Sequence, residues 1–126
     1  MIDVDGLGLN QGSFQLDGIS LHVPAGNYAI LMGKTGCGKT TILEAVAGLR
    51  PIHAGMIVLN GRDVTHLAPA LRDVGYVPQD GALFRTMTVY DNLAFALTIR
   101  GVASKMIAAR VEQIAHWLGV THLLKR

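Results

Sequence analysis

Residues 33–40 read Gly33-Lys34-Thr35-Gly36-Cys37-Gly38-Lys39-Thr40, the pattern G-x-x-x-x-G-K-[ST], and its residue types suit one task. Glycines let the chain turn tightly so that successive amides point into one concavity. A helix that begins at once adds the positive end of its dipole to the same spot. The guest for such a loop is a polyphosphate. Lys39 is placed to set its ammonium on the β- and γ-phosphates, and the Thr40 hydroxyl to ligate magnesium. Thr41 follows with a further hydroxyl for the α-phosphate. Gly33, Lys34, Thr35, Gly36, Cys37 and Gly38 contribute backbone amides. Cys37 is read as a small side chain that tolerates the turn, and no redox role is assigned to it. A glycine-rich turn that merely joined a strand to a helix would explain neither the lysine at the helix start nor the flanking elements.

Gln79 is the second candidate. It stands just past a short apolar run and opens a loop, where a carboxamide can contact the magnesium or an attacking water and move with the loop. On residue type alone, a loop glutamine is more often simply solvated. The five histidines, His22, His53, His66, His116 and His122, show no metal-ligand spacing. Asp63, Asp73, Asp80 and Asp91 fall in turns or at helix starts, where carboxylates are commonly structural.

These residues need elements to hold them. Alternating apolar positions over residues 2–9 and 14–23, with Gly12-Ser13 between, predict an antiparallel hairpin. After Pro24-Ala25-Gly26, the run Tyr28-Ala29-Ile30-Leu31-Met32 reads as a strand buried on both faces. The phosphate loop follows, then Ile42, Leu43, Val46, Ala47 and Leu49 at helical spacing, with Gly48 and Pro51 ending the helix. Asn60-Gly61 after Met56-Ile57-Val58-Leu59 predicts a second hairpin into Asp63-Val64. Residues 74–77 read as a short buried strand stopped by Pro78, and 79–85 as a loop. Thr88 caps a helix to about Arg100 by reaching the amide near Asp91, and Ser104 opens an amphipathic helix closed by Gly119.

The whole chain has 126 residues, half hydrophobic and 16% charged, which excludes intrinsic disorder and limits it to one compact domain or part of one. Eleven basic and nine acidic residues leave a net charge of +2, without a run of like charges, so no nucleic-acid partner is expected. Mean hydropathy is high at +0.36, yet no apolar run approaches the ~20 residues of a membrane-spanning helix. The excess of apolar residues instead points to a surface covered by something else. A single cysteine excludes an internal disulfide and fits a reducing compartment.

Taken together, these residues resemble the ATP-binding ATPase subunits of ABC transporters, and more closely the importer type. The resemblance covers the whole chain. It rests on Gly33 through Thr41, on Gly48-Leu49, on Gly55 through Gly61 with Asp63, and on Arg72-Asp73-Val74-Gly75-Tyr76-Val77-Pro78-Gln79. Leu83-Phe84 and Met87 through Leu93 extend it. Residues around 83–97 and the leader Phe14-Gln15-Leu16-Asp17 look similar to the molybdate, tungstate or sulfate group.

The resemblance implies an α/β P-loop NTPase fold with a RecA-like core, an antiparallel β-subdomain and the start of an α-helical subdomain, truncated. The β-subdomain and phosphate loop would occupy about 1–79, and the Q-loop and first helices about 79–126. It implies ATP and Mg2+ as ligands, with Gln79 as the Q-loop glutamine near the metal and catalysis. It also implies a second ATPase subunit in a head-to-tail dimer, transmembrane permease subunits, and a peripheral place on the cytoplasmic face of the membrane. Helix 104–118 and loop 80–86 are candidate contacts for the permease, with ordinary packing as the alternative.

Two departures stand out. The family stacks adenine on an aromatic ahead of the phosphate loop, and Gln11 falls about there. Phe14, alternating with Leu16, is expected in the core, with Phe14 or Tyr28 as possible substitutes for the missing aromatic. The sequence also contains no run of four apolar residues ending in Asp-Glu, no LSGGQ-like signature and no switch histidine. The chain is therefore expected to be the first half of such a subunit, unable to hydrolyse ATP alone and poorly soluble. The alternatives are another P-loop NTPase such as a small kinase or GTPase, and a complete nucleotide-binding module that works without hydrolysis.

Overall fold

The computed structural model describes all 126 residues and divides them into two compact units, Met1–Tyr76 and Val77–Arg126. In the first unit, β1 (Ile2–Gln11) and β2 (Phe14–Val23) form the expected hairpin, running from Ile2 opposite Val23 to Gln11 opposite Phe14. Helix α1 (Lys39–Ala47) follows the glycine-rich loop of residues 33–38 and stops at Gly48, whose φ of 81° suits a glycine cap. Strands β3 (Ala54–Leu59) and β4 (Arg62–Asp63) flank the Asn60-Gly61 turn. All pairings are antiparallel, in the order β2-β1-β3-β4.

One face of this sheet carries the core. Val4, Leu7 and Leu9 of β1 pack with Ile57 and Leu59 of β3, Val64, and Ala45 of α1. Leu7 and Ile57 are fully buried, each contributing about 1.5–3 kcal/mol relative to exposure. Three adjacent buried residues, Leu7-Gly8-Leu9, break strict alternation, and irregular registers with β2 and β3 accommodate them. Gly55 permits the tight approach of β3 to β1, since a Cβ there would lie 2.5 Å from the Asp5 carbonyl oxygen.

Two expected strands are not formed. Residues 28–32 form no ladder, and Tyr28, Ile30 and Met32 are 87%, 71% and 84% exposed. Residues 74–77 are likewise unpaired, with Val77 90% exposed. A strand buried on both faces needs neighbours on both edges and layers over both faces, and nothing among these residues supplies them. The apolar runs remain, but as uncovered surface.

In the second unit, Thr88 caps α2 (Val89–Ile99) with a capping box. Its Oγ1 accepts from the Asp91 amide at 3.1 Å, and its own amide donates to the Asp91 carboxylate at 3.3 Å. Helix α3 (Ser104–Leu118) buries Ile107, Val111 and Ala115, a single stripe at four-residue spacing. It ends at Gly119 as expected, but Ala103 rather than Ser104 is its N-cap, and no side chain caps it. Ser104 already has helical geometry there. Asn92 staples the preceding loop: its amide nitrogen donates to the Phe84, Met87 and Thr88 carbonyls, and its oxygen accepts from the Phe84 amide.

Candidate functional site

The loop of residues 33–38 is shaped by two of its glycines. The Cys37 amide donates to the Lys34 carbonyl at 3.3 Å, closing a turn whose third residue, Gly36, has φ 81°, the left-handed value a type II turn demands. Gly38, at φ 95°, is the N-cap of α1, and its carbonyl accepts the first helical bond, from the Ile42 amide at 2.9 Å. A side chain at Gly38 is excluded on packing grounds too: a Cβ would lie 2.8 Å from Phe14 Cζ and from Leu16 Cδ1. Helix α1 has no side-chain cap and no acidic residue in its first turn. Its leading amides, which no helix satisfies internally, are therefore left for an anion.

Lys39 reaches back across this loop. Its ammonium donates to the Gly33 carbonyl at 2.9 Å and the Lys34 carbonyl at 2.8 Å, and lies 3.7 Å from Cys37 Sγ. The cation is thus held over the loop by the loop's own backbone. A cleft of about 400 Å³ opens here, lined by Gly36, Gly38, Lys39, Thr40 and Thr41 on one side and by Gln11 and Phe14 on the other. No carboxylate lines it. Thr40 is exposed and Thr41 nearly buried, so of the two hydroxyls Thr40 is the freer to meet a hard cation, which takes oxygen donors.

The structure therefore gathers Gly36, Gly38, Lys39, Thr40 and Thr41 around one opening, with Gly33, Lys34, Thr35 and Cys37 exposed in the same loop. Gln79 is exposed and belongs to the second unit. Tyr28 does not line the cleft. Phe14 does, half-buried against Gly38. Its expected place in the core is corrected: Phe14 stands at the tight end of the hairpin, beyond the partly buried Leu16 and outside the core cluster.

Arg72 was missed by motif reasoning. Only 6% exposed, it has no carboxylate partner. Its Nε donates to the Leu67 carbonyl at 2.9 Å, Nη1 to Ala45 at 2.9 Å and Val46 at 3.1 Å, and Nη2 to Thr65 at 3.0 Å. It thus caps the carbonyl end of α1, where a cation is favoured by the helix dipole. Burial pulls its pKa below the ordinary guanidinium value. Gly48 makes room for it, since a Cβ there would lie 2.5 Å from Nε. The available signal was an arginine among apolar neighbours, which does not by itself tell a buried cap from an exposed charge.

Residues 16–126 match the family described as ABC transporter. The chain belongs to the ABC transporter family. Its ABC relatives include importer ATP-binding proteins at about 40% identity. The molybdate/tungstate import ATP-binding protein WtpC of Thermococcus kodakarensis is 41% identical over 98% of this chain and 37% of its own length. The protein of the same name from Methanocaldococcus jannaschii is 38% identical over 100% of this chain and 42% of its own length. The sulfate/thiosulfate import ATP-binding protein CysA of Nocardia farcinica is 40% identical over 95% and 37%. The chain thus spans roughly two fifths of the length of these ABC relatives. None of its helices is long and apolar enough to cross a membrane.

Proposed function

We propose that this chain binds Mg-ATP as the nucleotide-holding part of an importer ATPase that couples ATP hydrolysis to solute uptake. The observation that carries the proposal is the junction at Gly38: an uncapped helix start, two positive-φ glycines and the Lys39 ammonium converge on one cleft free of carboxylates. In this reading the loop amides of residues 33–38 wrap the β-phosphate. Lys39 leaves its carbonyls for the β- and γ-oxygens, and Thr41 meets the α-phosphate. Thr40 would hold Mg2+, which when bound would neutralise phosphate charge. Gln79 would serve the metal and the attacking water. Once on the phosphates, Lys39 would stabilise the developing charge electrostatically.

On the same reading, residues 28–32 and 74–77 become strands of a RecA-like core once parallel neighbours pair with them. Residues 1–79 are then the β-subdomain and phosphate loop, and 79–126 the Q-loop and first helices of the helical subdomain. The working assembly is a head-to-tail pair of ATPase subunits under transmembrane permease subunits, peripheral to the cytoplasmic face of the membrane. The relatives named above support an oxyanion such as molybdate, tungstate or sulfate as the transported solute.

The test is calorimetric titration of the chain with Mg-ATP. Binding is expected, and Lys39→Ala should weaken it at least about tenfold, the scale of one lost charge-assisted contact. Equal affinity in the variant would refute the assignment.

A further inference from the structure

Helix α1 is engaged at both ends. Its first turn brings the uncapped amides and Lys39 to the cleft, and its last turn presents the Ala45 and Val46 carbonyls to Nη1 of Arg72. A helix of nine residues separates the two engagements by only about 14 Å. Nε and Nη2 of the same guanidinium donate to the Leu67 and Thr65 carbonyls, so one planar fork ties the cleft-facing helix to the loop beyond β4. Arg72 is buried although Leu71 and Asp73 on either side of it are exposed. Asp73 then turns the chain with a φ of 52°, and residues 73–78 lie in no helix or strand. The stretch that leads to Gln79 therefore departs from a fixed point, and that point is held by α1.

We propose that Arg72 is a positioning residue through which an occupied cleft fixes the root of the Gln79 segment, a link that rests on the reading of the cleft as a nucleotide site. Phosphate that orders the first turn of α1 orders, through the guanidinium on its last turn, residues 65–72. This is a task beyond capping. A cap only adds stability, whereas a link makes the stability of residues 65–72 depend on what the cleft holds. Val64 and Leu67 also share the apolar core with Ala45, so the deciding substitution is Arg72→Met, which keeps the aliphatic bulk and removes the fork.

The experiment is amide hydrogen exchange of the 126-residue chain, without nucleotide and with Mg-ATP at about 100 times each variant's own Kd. The reporters are the hydrogen-bonded amides of Thr65, Leu67, Leu71 and residue 72, which donate to the Asp63 carboxylate and to the Val64, Ala68 and Pro69 carbonyls. An amide whose opening also frees the nucleotide is slowed by up to 1 + [L]/Kd, about 100-fold here, and one that opens independently is not slowed. In the unaltered chain the reporters should slow by about tenfold or more. In Arg72→Met, residues 39–43 should still be slowed, while the reporters change by less than about twofold. Arg72→Lys, with the charge but not the fork, should fall between. Loss of a cap alone would speed exchange with and without nucleotide alike and leave the slowing factor of the unaltered chain. That unchanged factor overturns the inference, as does an unaltered chain in which Mg-ATP slows residues 39–43 but not the reporters, and both leave the nucleotide site standing. Should Arg72→Met not fold, Arg72→Lys carries the same comparison, an unreduced factor again overturning the link. Absence of Mg-ATP binding to the unaltered chain overturns the site itself, and the inference with it.

Discussion

Replacing Arg72 by methionine removes the guanidinium while keeping most of its aliphatic bulk, which isolates the polar role of this buried cation. Four carbonyls lose the guanidinium, Ala45 and Val46 in the last turn of α1, and Thr65 and Leu67 in the loop beyond β4, and of these Ala45 keeps the Gly48 amide at 3.0 Å. Hydrogen bonds to a charged donor contribute about 1.5–3 kcal/mol each. The variant no longer bears the desolvation of a buried charge, itself worth several kcal/mol. The net expectation is a loss of roughly 3 kcal/mol, which for a unit of this size lowers the melting temperature by about 12–24 °C.

Far-UV circular dichroism on heating and in urea reads this directly, while Trp117, in the second unit, reports that unit separately by fluorescence. Arg72→Lys keeps the charge without the planar fork and should recover less than half of the loss. Gly48→Ala should be destabilising by a related route. It forces a left-handed backbone on a residue with a Cβ, costing about 1–2 kcal/mol, and drives that Cβ into the guanidinium. In the Arg72→Met background only the backbone cost should remain. A melting temperature for Arg72→Met within about 3 °C of the parent would refute the reasoning, since four charge-assisted bonds, two of them buried, cannot be lost at so little cost.

Asp63 provides a pH handle: its carboxylate accepts from Thr65 Oγ1 at 2.6 Å and from the Thr65 amide at 2.9 Å, and these bonds, the side-chain one foremost, hold its pKa below the ordinary 3.8. A carboxyl whose folded pKa is depressed stabilises fully above its unfolded pKa and loses that contribution as pH falls through the folded value. Asp63→Asn should therefore flatten the acid limb of a stability–pH curve below about pH 4, and an unchanged limb would refute the assignment. The uncovered run at residues 28–32 is an aggregation edge; Ile30→Lys with Met32→Lys should raise the soluble fraction on expression, and equal or lower solubility would count against this reading. Because no carboxylate lines the cleft, the 126-residue chain should bind Mg-ATP without steady turnover. Phosphate release that disappears in Lys39→Ala would show otherwise.

Local pattern carried much of the fold. The hairpin 2–23, the Asn60-Gly61 turn, the helix ended by Gly48, and the Thr88 capping box are each written within about twenty residues of chain. Turn chemistry, periodicity and capping act at that range. The boundaries of α2 and α3 followed from the same signals, and only the cap of α3 moved, because Ala103 supplies the extended residue ahead of the first turn. Where an element depends on partners far away in sequence, the pattern was insufficient. Residues 28–32 have the composition of a doubly buried strand but no ladder, since composition states what a segment can bury and not whether anything is there to bury it.

The candidate site divides along the same line. By itself the sequence determined the glycine loop and helix start proposed to hold phosphate, because glycine freedom, a lysine at a helix start and a following hydroxyl are consecutive residues whose chemistry is local. Only the tertiary structure decided what stands opposite that loop. Register across β1 and β2 brings Gln11 and Phe14 to the cleft and lays Phe14 on Gly38, while folding carries Arg72 some 27 positions back along the chain to close the end of α1. The contacts of Phe14 with Gly38 and of Arg72 with the α1 carbonyls join residues distant in sequence, and packing, which no local pattern encodes, sets them.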